Sequence, residues 1–69
     1  MKPVTNVNFK KLVRELLKEM SLERVAVECH VGSHIIRRIG KGEVDKVEHS
    51  CGQWLLYLYM THFGKEFES

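Results

Sequence analysis

Two sets of residues in this 69-residue chain could do chemistry. Cys29, His30, His34, His49 and Cys51 are of metal-ligating types, but their spacing matches no known ligand pattern, so neither a metal site nor any cofactor is expected. Cys29 and His30 are adjacent in sequence and point to different faces of a helix, so they make no catalytic dyad. There is no glycine-rich phosphate loop, nucleophile elbow or carboxylate pair in a plausible cleft, and the chain reads as a non-enzyme. The second set is basic: Arg37, Arg38 and Lys41 line a short helix and its exit, with Ser33 and His34 at its start. Such a face can contact phosphate, base edges or acidic side chains, the alternative being a plain polar surface.

The elements that must position these residues follow from apolar spacing. Residues Ser21 to Glu43, SLERVAVECHVGSHIIRRIGKGE, read as a helix-turn-helix unit. Val25, Ala26 and Cys29 form the inner face of its first helix, Val31 plugs the turn, and Ile36 and Ile39 form the inner face of the second. Ala26 is small enough to let the two backbones approach closely. The second helix then lies outward, available to a DNA groove or another surface.

Before this unit, Phe9, Leu12, Val13, Leu16, Leu17 and Met20 fall on one helical stripe. Asn6 or Asn8 can cap that helix, and residues 1–5 read as a disordered lead. Lys10, Lys11, Arg14, Glu15, Lys18 and Glu19 read as its solvated face. Ser21 caps the next helix, expected from Leu22 to about His30, and the third is expected from near Ser33 to near Gly40 or Gly42. After the charged connection EVDKVEH, Ser50 and Gln53 suggest a capping box for a last helix over 51–63, with Gly64 as its stop. The run WLLYLYM could be a buried strand on periodicity alone; its lack of Val, Ile and Thr and its flanking signals favour helix.

Size and charge narrow the function. A domain this small buries only about 60% of its unfolded surface, so a partner would add stability. The formal net charge of +2 is mildly basic, and the pI near 8.7 falls short of a committed nucleic-acid binder. Glu43, Asp45 and Glu48 further dilute the positive field around the basic helix. No segment is apolar for long enough to span a bilayer, and the N-terminus carries no secretory h-region, so a cytoplasmic protein with reduced thiols and no membrane partner is expected.

The last helix is apolar on all sides. Leu55 and Leu58 can pack on the first and third helices, but Trp54, Leu56, Tyr57, Tyr59 and Met60 have little core left to enter. They are therefore expected to form a homodimer or partner interface, a role in which Tyr and Trp are enriched.

The window 21–43 resembles the helix-turn-helix of small phage repressors and Cro-like regulators, and HSCGQWLLYLY resembles the segment that follows it in some of them. The similarity covers roughly residues 7–63, though only 21–43 is specific. Where such proteins commonly carry a phosphate-contacting glutamine, this chain has Leu22. Where the turn usually has glycine it has His30, and Ile35 replaces a polar or small β-branched residue of the reading helix. Leu22 and Ile35 are expected to face outward, where neither can donate to a phosphate. In length and in this altered motif the chain is also similar to small anti-activators of temperate phages. That resemblance implies a LuxR-type quorum-sensing regulator of the host as partner, and a type IV pilus ATPase as a second.

The expected architecture is all-α, a single helix-turn-helix domain over 1–69 of four to five helices, dimerising through its C-terminal helix. Two functions compete. One is a protein-binding inhibitor that contacts a host transcription regulator through Leu22, Ser33, His34, Ile35, Arg37, Arg38 and Lys41. The other is a Cro-like regulator that binds DNA through Ser33, His34, Arg37 and Arg38.

Overall fold

Asn8 opens the first helix: its Oδ1 accepts from the Lys11 amide at 3.2 Å, satisfying one of the amides that a helix start leaves unpaired. The computed structural model describes residues 7–44 and 46–67, and these form four helices with no strand. They are α1 (Phe9–Glu19), α2 (Leu22–Glu28), α3 (Ser33–Lys41) and α4 (His49–Phe63). The disordered lead expected over residues 1–5, the alternative cap Asn6, and Asp45 of the connection lie outside the described residues.

The apolar stripe of α1 closes on the core as its spacing predicts. Phe9, Leu12, Val13 and Leu16 are buried, with Leu17 and Met20 half-buried at its margins. Ser21 caps α2, its Oγ accepting from the Arg24 amide at 3.1 Å. Val25, Ala26 and Cys29 from α2, and Ile36 and Ile39 from α3, are all buried in the same cluster, with Val31 packed against it from the turn.

The two short helices end alike. At the end of α2 the Val31 amide donates to the Ala26 carbonyl at 3.1 Å and the His30 amide to Val27 at 3.2 Å. At the end of α3 the Glu43 amide donates to Arg38 and the Gly42 amide to Ile39, both at 3.0 Å. This paired closure needs a left-handed residue at the turn. Gly42 supplies it freely at φ 78°, whereas His30 holds φ 59° with a full side chain.

Helix α4 differs from expectation at its start. It begins at His49 with Glu48 as the flanking residue, and no side chain caps it. The Ser50 hydroxyl donates to Glu48 Oε1 at 2.9 Å, so the predicted Ser50–Gln53 capping box is not formed: Ser50 already lies inside the helix. Its other end is as expected, with Gly64 left-handed at φ 72°.

Cys51, Gly52, Leu55 and Tyr59 carry the buried side of α4. This helix packs against α1, which also contacts α2 and α3 and so stands at the centre of the bundle.

Candidate functional site

Two surfaces present the residues singled out by sequence. The first is the outer side of α3. Its inner residues Ile36 and Ile39 are buried, which turns His34, Arg37, Arg38 and Lys41 to solvent and leaves Ser33 half-buried. Arg38 Nε approaches Glu43 Oε1 at 4.0 Å, a long surface pair of little energetic weight. His34 folds back toward the start of its own helix: a Cβ on Gly32 would stand 2.7 Å from its ring. Leu22 and Ile35, expected to face outward, are half-buried and packed against the core; each stands one turn before a buried residue of its own helix, Ala26 and Ile39.

The N-terminus of α2 is already provided for electrostatically. Ser21 takes the Arg24 amide, Glu23 places a carboxylate in the first turn, and Leu22 offers no donor. A helix start attracts anions through its dipole and open amides; here a side chain of the protein holds that place.

The second surface is the outer side of α4. Trp54, Tyr57 and Met60 are 41%, 57% and 40% exposed, and Leu56 is half-buried. From Ser50 to Thr61 the helix carries no Asp, Glu, Lys or Arg, so the aromatic residues sit in an uncharged face. The turn after α2 joins this face through the His30 ring, whose centroid lies 4.6 Å from that of Trp54. Val27, 68% exposed on α2, was not singled out by sequence. Its signal was there: with Val25, Ala26 and Cys29 facing inward, Val27 has to face out.

Tyr59 corrects the expected interface set. It is only 4% exposed. Its hydroxyl donates to Glu15 Oε1 on α1 at 3.4 Å, and Phe63 and Phe67 pack on its ring at 4.5 and 5.0 Å between centroids. The chain beyond α4 returns to cover it, and that return supplies core which the helix pattern alone does not reveal.

Both cysteines are buried free thiols. Burial, and then the neighbouring Cys51 and Glu28, push the Cys29 thiol up from 9.0 to about 12. Burial and Glu48 raise that of Cys51. Both are therefore protonated at neutral pH and poor nucleophiles.

An open groove of about 190 Å³ lies between the start of α1, the end of α3 and the connection after it, with Val7, Phe9, Lys10, Ile39, Lys46 and Val47 among its lining. It is smaller than the roughly 300–1,000 Å³ typical of small-molecule sites. Among the described residues no helix is long and apolar enough to cross a membrane. Comparison with family models, curated proteins and solved structures finds no match to this chain.

Proposed function

We propose that this chain is a protein-binding inhibitor built on a helix-turn-helix unit, α2 and α3 with the turn between them. On this reading it is an anti-activator of the temperate-phage type. It captures a LuxR-type quorum-sensing regulator in the cytoplasm of a bacterial host and keeps it from its promoters, with a type IV pilus ATPase as a second partner. No catalytic step and no cofactor belong to this role.

The observation that carries the reading is the start of α2. A DNA-reading unit of this kind needs a phosphate there, and Leu22 with Glu23 would oppose one. On α3, half-buried Ile35 shares its side with exposed Arg38 one turn on, an apolar contact beside a guanidinium group as in protein hot spots, while exposed Arg37 stands on the side toward α1. The uncharged face of α4 supports a dimer: Trp54, Tyr57 and Met60, with Leu56 at the margin, would pair with a second copy.

The test is a promoter-binding assay with a LuxR-type activator, with and without this protein, beside a direct titration of DNA. Loss of the activator's complex is expected, and Arg37→Ala should weaken that inhibition about tenfold or more. A specific operator shifted by this protein alone at nanomolar concentration, with the activator untouched, would establish the Cro-like reading instead. The exposed row of His34, Arg37, Arg38 and Lys41 is the observation that favours it.

A further inference from the structure

We propose that α1 and α3 together present a one-sided basic strip, Lys10, Arg14 and Lys18 with Arg37 and Lys41, that docks on an acidic protein surface. The starting point is how α1 divides its charges into two rows at four-residue steps, Lys11, Glu15 and Glu19 in one and Lys10, Arg14 and Lys18 in the other. Glu15 and Glu19 lie along the edge that meets α4, where Glu15 accepts from the Tyr59 hydroxyl and Glu19 Oε1 lies 3.8 Å from His62 Nε2. The other edge meets α3. A Cβ on Gly40 would stand 3.2 Å from Val13 and 3.9 Å from Leu17, and one on Gly42 would stand 3.1 Å from Lys10.

Lys10, Arg14 and Lys18 follow one another at four-residue steps, so they form a row that begins at the α3 edge. As α3 runs from Gly40 to Gly42, its neighbour on α1 steps back from Leu17 and Val13 to Lys10. Lys41 therefore stands toward the Lys10 end of the row, and Arg37, one turn earlier, toward the Lys18 end. All five side chains are exposed, and among the described residues none pairs with a carboxylate. Like charges at four-residue spacing destabilise a helix. An anionic partner relieves that repulsion.

The strip's surroundings choose the partner. Duplex DNA sets a phosphate backbone on each side of a major groove about 12 Å wide, so α3 in the groove would need cations on both flanks. Its α1 flank is basic and unpaired, but its α2 flank carries Leu22, Glu23 and Ile35, while Arg24 of α2 and Arg38 each stand beside a carboxylate, Glu28 at 3.3 Å and Glu43 at 4.0 Å. Single-stranded nucleic acid is held by aromatic platforms beside the cations, and the exposed aromatic residues Trp54 and Tyr57 are on α4. A helix or loop rich in carboxylates needs neither feature. This inference rests on the protein-binding reading and adds the chemistry of what is bound.

The probe is poly-L-glutamate, titrated against the intact chain alongside duplex and single-stranded oligonucleotides of matched charge. Binding to poly-glutamate should weaken at least tenfold between about 50 and 300 mM salt, as contacts between exposed charges do. The double variant Arg14→Glu, Lys18→Glu should weaken it about tenfold or more, and Arg24→Glu on α2 by less than about twofold, at unchanged helicity. The neutral pair Arg14→Gln, Lys18→Gln should show the same loss in smaller measure and guards against misfolding. Equal loss from Arg24→Glu overturns the strip, because net charge alone would then explain binding. An oligonucleotide bound more tightly than poly-glutamate through the same residues overturns the choice of partner. If poly-glutamate fails to bind while the regulator is still captured, the strip is wrong and the inhibitor reading stands.

Discussion

The imidazole of His30 lies 4.6 Å from the indole of Trp54, tilted by 59°, and so fastens the left-handed turn after α2 to the outer face of α4. One residue thus serves two ends: its backbone closes the helix, and its ring supports an exposed tryptophan.

His30→Gly should accordingly leave stability within about 1 kcal/mol of the parent. Relief of the left-handed conformation offsets the lost ring contact, each being worth about 1 kcal/mol. His30→Val should cost more than about 1 kcal/mol, since a β-branched residue is strained at positive φ. Urea unfolding measures both. Trp54 is the only tryptophan, so its emission should shift in both variants.

The two tyrosines of α4 should behave oppositely. Tyr59→Ala removes a buried ring and should cost about 3 kcal/mol or more, a large part of the stability of so small a domain. Tyr57→Ala should change the stability of the isolated chain by less than about 0.5 kcal/mol. If α4 pairs two copies, Tyr57→Glu should yield monomers in sedimentation at tens of micromolar or so, a concentration where ordinary dimers persist.

At Gly40 the approach of α3 to α1 is close. Gly40→Ala gains up to about 1 kcal/mol of helix propensity, against a Cβ held 3.2 Å from Val13 Cγ1. The net change should be small. Gly40→Leu has no such room and should cost about 1–3 kcal/mol through overpacking.

Stability should also fall in alkali. The folded state keeps the Cys29 proton up to about pH 12, whereas the unfolded thiol loses it near 9.0. Between those values the folded state binds more protons, so stability is fully present below 9.0 and declines as pH rises toward 12. Cys29→Ala should flatten that part of the pH profile measured by thermal unfolding. Iodoacetamide at about pH 8 should leave both thiols of the folded chain unmodified, because the thiolate is the reactive form.

Much of the fold was legible because local rules governed it. The stripe of α1, the caps Asn8 and Ser21 and the stops Gly42 and Gly64 each depend on a few neighbouring residues, whereas the left-handed His30 followed from the resemblance to helix-turn-helix turns. Tyr59 was not legible, since a helix apolar on every side gives periodicity no face to choose. Contacts distant in sequence (Glu15) and beyond the helix end (Phe67) made the choice. At the candidate site, the outward row Arg37, Arg38 and Lys41 followed from the inward Ile36 and Ile39. The half-burial of Leu22 and Ile35 was missed although each precedes an inward residue, Ala26 and Ile39, by four positions: likeness to DNA-reading helices had set both outward. The sorting of the α1 charges required knowing which edge each neighbouring helix covers.

The return of Phe67 onto Tyr59 moves the boundary of the folding unit. The last helix ends at Phe63, yet the apolar shell around Tyr59 is completed four positions later. A fragment cut at Gly64 would retain every helix and still present the side of Tyr59 to water. The smallest piece that can carry the whole core therefore extends past its regular structure, through Phe67.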